Sequence, residues 1–363
     1  MTLPTEPTAA AAQPTEAPFV VNTWAPDPSG DPSGLIYTFG GAAPVATIRP
    51  GTVLSTWSFD CFVGRVNSPD LLASQVTDPR YLNPQTGPYY VEGAEPGDTL
   101  AVHFVSIRPR YGWGVSTLAP HFGALTGTTT TALLHAPLPE RTWIYEIDAE
   151  AGLVHYQARD SGFTAALPLD PMHGTVGVAP ALGEVRSSLT PGDWGGNMDT
   201  PEMRAGVTCY LGVNVEGALF SFGDGHARQG EGETCGVAVE CAMDTVLIID
   251  LIKAGTLPDG AAPWPRLESD EFIMTTGSTK PLEDAFRISH QQVTHWVSTV
   301  TGLSTLDAYQ LVSQTALSPV ANVVDTTYTM VAKIPKTVLG PTTVMGGMHH
   351  SLRRRAARWL AEH

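Results

Sequence analysis

Short alternating runs launched from Pro-Gly turns recur along the first two thirds of the chain. In "ATIRPGTVLSTWSFD", Val53 and Leu54 follow one such turn. In "EPGDTLAVHFVSIRPR", Leu100, Val102, Phe104 and Ile107 follow another. Runs of this length between Gly/Pro turns predict strands, and a succession of them from Val20 to about Leu251 predicts an antiparallel sandwich or barrel. The 36 glycines and 30 prolines among 363 residues fit a turn-rich chain of this kind. "TVLIIDLIK", Thr245 to Lys253, is a continuous apolar run and predicts a buried strand.

The C-terminal third changes period. "PLEDAFRISHQQVTHWVSTVTG" places Leu282, Ala285, Phe286, Ser289, Val293, Trp296 and Val297 at helical spacing, with Pro281 at the start and Gly302 at the stop. "STLDAYQLVSQTAL" opens with Ser304 and Asp307, an imperfect capping box, and predicts a second helix. "TYTMVAKIP" alternates as a final strand, and the basic "HHSLRRRAARWLAEH" suits a short helix. The expected fold is therefore mainly β with a C-terminal α+β portion: an antiparallel β-sandwich or barrel-like core, then two helices and a strand. The expected divisions are a disordered arm (1–18), a β-rich portion (19–253), an α+β portion packed on it (254–340) and a basic tail (341–363).

The formal net charge of −16 repels nucleic acid and anionic membrane, so neither is an expected partner; small neutral or cationic ligands and metal ions suit it. Cys61, Cys209, Cys235 and Cys241 form no CxxC pair and read as ordinary intracellular, buried thiols. The opening "MTLPTEPTAAAAQPTEAPF" has no basic leader and no long apolar run, and no segment has the ~20 apolar residues needed to span a bilayer. The expected compartment is the cytoplasm.

Acid and imidazole are concentrated in "FSFGDGHARQGEGETCGVAVE", Phe220 to Glu240. Asp224 and His226 sit two apart, so an extended backbone points both the same way, toward one metal ion. Mixed oxygen and nitrogen donors suit Zn²⁺ and similar divalent ions. Glu233 follows a glycine-flanked turn, and Glu240 lies in the next run. The competing reading is a glycine-rich hairpin whose acids face water. Asp60 stands among bulky apolar residues in "STWSFDCFVG", where a carboxylate needs a partner or a metal. "GGNMD" carries Asn197 and Asp199, and a turn role is the simpler account of Asn197. His173, in "PMHGTVGVAP", reads more readily as a satisfied core histidine than as a ligand. It remains a substrate-binding candidate together with Trp57 and Trp113.

Several pieces in order carry a resemblance: "SFDCFVG", "NPQTGPYYVEGAEPGDTLAVHF", "PMHGTVGVAP", "GGNMD", the block running to Glu240, "LSTLDAYQLVS" and "VANVVD". Together they resemble the acetamidase/formamidase family across roughly Ile48 to Pro335. The resemblance implies hydrolysis of short amides to a carboxylate and ammonia, a β-rich fold, a divalent metal and a homo-oligomer of two or more chains. Asp60, Asn197, Asp199, Asp224, His226, Glu233 and Glu240 stand where the family places polar residues. Two departures stand out: Glu231 replaces a frequent Asp, and "RYGWGVSTLAPHFGALTGTTTTALLHAPLPERTW" fits no family pattern.

Amide hydrolysis needs a nucleophile, an oxyanion partner and an acid for the leaving nitrogen. The expected machinery is a metal-activated water, with Asp60, Asp199, Asp224, His226 and Glu240 as metal ligands. Glu233 is the expected general base, and Asn197 the residue that orients the amide. Zn²⁺ is the first candidate ion, with Ca²⁺ as a second. One alternative is a cysteine-dependent amidase using Cys61 or Cys235; no GxSxG elbow supports a serine enzyme. The other is a non-enzymatic Ca²⁺-binding β-rich protein, for which Asp60, Asp199, Asp224 and Glu233 would be suitable hard donors.

Overall fold

The structure is a computed structural model that describes residues 18–31, 34–126, 134 and 136–363. The expected N-terminal arm, apart from Pro18, lies outside the described residues.

Alternation within the strands sorts side chains into two cores. Val53, Ala101, Val105 and Ile248 join a cluster with Val293, Trp296, Val312 and Leu352 of the C-terminal helices. Their neighbours Leu54, Val102, Phe104, Leu247 and Ile249 join a different cluster with Tyr89, Val176, Phe220 and Phe222. One sheet thus has helices on one face and a second sheet on the other. This is why the middle of Met243–Ile252, Val246 to Ile249, reads as an unbroken apolar run: a strand covered on both faces there has no solvent side to mark with polar residues.

The first sheet has nine strands in the order Val21–Asn22, Thr52–Ser58, Met243–Ile252, Thr99–Pro109, Thr208–Gly212, Arg266–Glu268, Phe272–Thr279, Tyr328–Pro335 and Val320–Asn322. All its pairings are antiparallel except the first. The second sheet runs Thr164–Pro168, Leu153–Gln157, Arg141–Asp148, Trp113–Leu118, Val239–Glu240, Phe220–Arg228, Met172–Gly177 and Gly195–Asn197, with Gln85–Val91 and Ala46–Ile48 attached at the side. Neither strand order closes on itself, so the barrel alternative is not realised. Strands from the 254–340 portion continue the first sheet directly.

The helices keep their sequence signals. Leu282–Thr301 follows Pro281 and stops at Gly302, whose φ of 74° favours glycine. Ser304 accepts from the Asp307 N–H at 3.1 Å and starts Thr305–Thr315. Phe286, placed on the apolar face by spacing, is 42% exposed instead. The basic tail forms the helix Met348–Glu362, which buries Leu352, Ala356 and Trp359 against its own chain. No helix among the described residues is long and apolar enough to cross a membrane.

The strand Phe220–Arg228 positions the site by changing partners. Its first half pairs with Gln85–Val91 through Phe222 and Gly223, and its second half pairs with Val239–Glu240 through His226. Asp224 lies between the two pairings with φ of 56°, a backbone position Asp tolerates better than bulky residues do.

Candidate active site

At that partner change a cavity of about 370 Å³ opens. Its polar floor is Asn83, Asn197, Asp199, Asp224, Glu233, Glu240 and Asp325. Gly174, on the adjacent strand, makes this convergence possible. A Cβ there would collide with Asp199 Oδ1 and come within 2.7 Å of Asp224 Oδ2 and 2.9 Å of His226 Cε1.

His226 is at the centre and fully enclosed. Gln229 donates both amide hydrogens, to the carbonyls of Asp199 (2.6 Å) and Ala321 (3.0 Å). Its oxygen therefore faces His226 Nδ1 at 2.9 Å and accepts the proton there. The other nitrogen, Nε2, is left 3.3 Å from Glu240 Oε1 and 3.5 Å from Asp224 Oδ2. Burial opposes charge on this imidazole, but Glu240 and Asp224 outweigh it and hold its pKa well above the usual value.

The carboxylates are packed more closely than isolated anions tolerate. Burial pushes Asp199 up to about 6 and Glu240 up to about 8. Burial first, and then Asp199, pushes both Glu233 and Asp325 well above the ordinary range. Three buried atoms have no hydrogen-bond partner: Asp199 Oδ1, His226 Nε2 and Glu240 Oε2. Two donor groups have all their atoms within 4.8 Å of one another: Asp199, Asp224 and His226; and His226, Glu233 and Glu240. A third joins Cys61 to Asp224 and Glu240. Orphaned buried acceptors gathered around one imidazole nitrogen fit a cation.

Other expected residues have different tasks. Asn197 has no N–H left for an amide: Nδ2 donates to Asp199 Oδ2 at 3.1 Å and Asp325 Oδ2 at 2.9 Å. Its oxygen accepts from Asn83 Nδ2 at 2.9 Å and from the Thr175 hydroxyl. It is a positioning residue for two carboxylates. Asp60 belongs to none of the three donor groups among the described residues. Its oxygens accept from the Phe62 N–H at 2.8 Å and the Gly64 N–H at 2.9 Å, which fixes the loop carrying Cys61.

The three substrate-binding candidates lie outside the cavity lining. His173 bonds the Gly223 carbonyl at 3.0 Å and the Thr245 hydroxyl at 2.8 Å, between the rings of Phe104 and Phe222. Its partners are complete, so it is a satisfied core histidine. Trp57 packs on Phe59 and under Arg110, and Trp113 joins the small cluster around Cys61, Phe62 and Val66.

Sequence reasoning passed over Asn83, Gly174, Gln229 and Asp325. Asn83 donates to Asp224 Oδ2 at 2.8 Å as well as to Asn197. The available signal was that Asn83 opens "NPQTG" and Asp325 closes "VANVVD", both already among the segments carrying the resemblance.

A β-rich chain with a buried carboxylate–imidazole cavity where an interior strand changes partners is the class that this geometry defines. Comparison with known proteins narrows it. Residues 165–340 match the model of the Acetamidase/Formamidase family. The crystal structure of acetamidase from Yersinia enterocolitica is 38% identical, covering 89% of this chain and 94% of that one, with a TM-score of 0.81. Acetamidase from Mycolicibacterium smegmatis is 28% identical over 65% of this chain, and formamidase from Methylophilus methylotrophus 25% over 58%. The matches span 68% and 62% of those two relatives' own lengths. The chain belongs to the acetamidase/formamidase family, whose members are amidohydrolases acting on linear amides.

Proposed function

We propose that this chain hydrolyses a small linear amide to the carboxylate and ammonia, with a divalent cation held by Asp199, Asp224, His226 and Glu240. The observation that carries the cation is the set of orphaned atoms at Asp199 Oδ1, His226 Nε2 and Glu240 Oε2. When bound, such an ion supplies Lewis acidity toward the carbonyl and lowers the pKa of a water to about 7. The mixed carboxylate and imidazole donors favour Zn²⁺, with Ca²⁺ as a candidate second ion.

The chain's own residues then have separate tasks. Gln229 accepts the His226 proton at Nδ1, so Nε2 is the nitrogen that would hold the cation. Asn83 and Asn197 fix Asp224, Asp199 and Asp325. Glu233 is the general base. It takes a proton from the attacking water as the new C–O bond forms, and delivers it to the nitrogen as the C–N bond breaks. Burial raises this carboxyl above the ordinary range, which strengthens it as a proton acceptor.

The cysteine alternative meets a physical objection. Burial, and then Glu240, Asp224 and Asp60, hold the Cys61 thiol well above its usual pKa, which opposes a thiolate. Cys235 is exposed, with Sγ turned to the Val237 carbonyl at 3.2 Å. The test is ammonia release from a panel of primary amides, with metal content measured before and after chelation and after restoring Zn²⁺. Loss and recovery of activity that track the metal support the reading. Activity that persists in metal-free protein removes the cation from it, and no ammonia from any amide removes the reaction. The homo-oligomer that the resemblance implies is read by light scattering on the same sample.

A further inference from the structure

The polar floor accounts for only part of the cavity. The remainder is walled by Phe62, Leu82, Ala119, Phe122, Leu189 and Val237. Formamide and acetamide have no use for such a wall. Acetamide has four non-hydrogen atoms, and at about 30 Å³ for each water-sized centre it fills on the order of 100 Å³. The cavity holds about 370 Å³. An acetamide seated on the carboxylates would leave most of the apolar wall facing trapped water, which wastes the burial that binds a substrate.

We propose that this site selects primary amides with a bulky apolar acyl group, aryl or branched aliphatic, over formamide and acetamide. The proposal rests on the amidase reading above and names its substrate class.

The wall is held in place by construction. The segment 119–123 runs against 233–237, joined by the Ala124 N–H to the Thr234 carbonyl at 2.8 Å. Glycines permit the approach. A Cβ on Gly236 would meet the Phe122 ring at 2.5 Å, and one on Gly123 would meet the Cys235 carbonyl at 2.8 Å. Phe122 is therefore seated over Gly236, in one apolar cluster with Val237. Phe62, in the same apolar cluster as Phe122, is 5% exposed and lies on the loop that Asp60 anchors through the Phe62 and Gly64 N–H groups. Both aromatic walls are thus preorganised, and the acyl group gains burial without having to order them. The segment that fits no family pattern, 110–143, supplies Ala119 and Phe122 to this wall.

The test compares kcat and KM for acetamide, isobutyramide and phenylacetamide with the metal-replete protein. The expected kcat/KM for phenylacetamide exceeds that for acetamide by at least about tenfold, since one extra methylene in an apolar pocket already contributes that much. The gain is expected in KM, because the wall touches the acyl group equally before and during reaction. Leu189→Trp adds bulk to the apolar wall of the cavity. It is expected to lower kcat/KM for phenylacetamide at least about tenfold more than kcat/KM for acetamide, and so to abolish the preference. Leu82→Trp gives the same reading should the first variant lose its native circular dichroism. Acetamide turned over as well as or better than phenylacetamide overturns this proposal and leaves the amidase reading standing. An unchanged preference in a folded Trp variant also overturns it. A metal-replete protein that hydrolyses none of the amides overturns both.

Discussion

Two buried polar networks in this molecule follow opposite rules. Beneath the C-terminal helix, the Thr208 hydroxyl bridges His103 Nδ1 and His349 Nδ1 at 2.9 Å each, and His349 Nε2 reaches Asp270 at 3.3 Å. Beside it, Glu268 accepts from Tyr210 at 2.7 Å and from Lys336 at 2.6 Å. None of these side chains has a buried nitrogen or oxygen without a partner. The cavity network is tied down just as carefully by Asn83, Asn197 and Gln229, yet it leaves Asp199 Oδ1, His226 Nε2 and Glu240 Oε2 open. A saturated network holds a helix on a sheet. An unsaturated one, with its open atoms gathered around His226, fits the cation of the proposed reading.

The comparison can be broken in four places. Glu233→Gln should lower kcat by about a thousandfold or more while metal content stays unchanged, as removal of a general base predicts. Near-normal turnover in that variant would sink the assignment of Glu233. Acidification should act on the saturated histidines. Burial lowers His173 and His349 to about 4 and His103 to about 3. All three are neutral in both states above the unfolded value of roughly 6.5. As pH falls below that, the unfolded chain takes up protons first, so stability is lost progressively from about 6.5 down toward 4. The fully buried His173 alone accounts for about 3 kcal/mol of this loss. The test compares this protein with its His173→Gln variant, whose urea midpoint should fall less between pH 7 and 5; equal falls would contradict it.

Gly174→Ala should cost about a hundredfold in kcat/KM, or about 2.7 kcal/mol, by pushing Asp199 and Asp224 apart. Its melting temperature should fall far less than its activity, and the reverse ranking would mean that Gly174 serves packing alone. The smallest effect is expected at Glu268→Gln. It leaves Lys336 without its anion and should cost about 2 kcal/mol of stability with kcat unchanged. A loss of turnover there would erase the distinction between the two networks.

How far the sequence reached depends on how local each feature is. Strand alternation and helix caps are set within a few residues, so Val53 against Leu54, Gly302 and Ser304 were all legible. Asp224, His226, Glu233 and Glu240 were legible as a cluster because one stretch of chain supplies them. The open ends of the sheets were not, because closure depends on which strands pair across long separations. Asp60 and Asn197 looked like site residues by chemistry, and only their hydrogen bonds reveal that they hold backbone and carboxylates. His173 and Gly174 are neighbours with opposite duties. Nothing in their local pattern says that the histidine turns between two phenylalanines while the glycine faces the acids.

Asp325 has a consequence for how this molecule is made. It lies at the end of the strand Val320–Asn322, which completes the far edge of the nine-stranded sheet, and Asn197 donates to it. During synthesis the loop from Asp224 to Glu240 emerges well before that edge exists. The nascent chain therefore carries its crowded acids with one wall of their cavity still inside the ribosome. If the proposed cation binds, its loading belongs to the finished polypeptide, and a truncated product ending before Asp325 should be recognisable by its inability to retain metal.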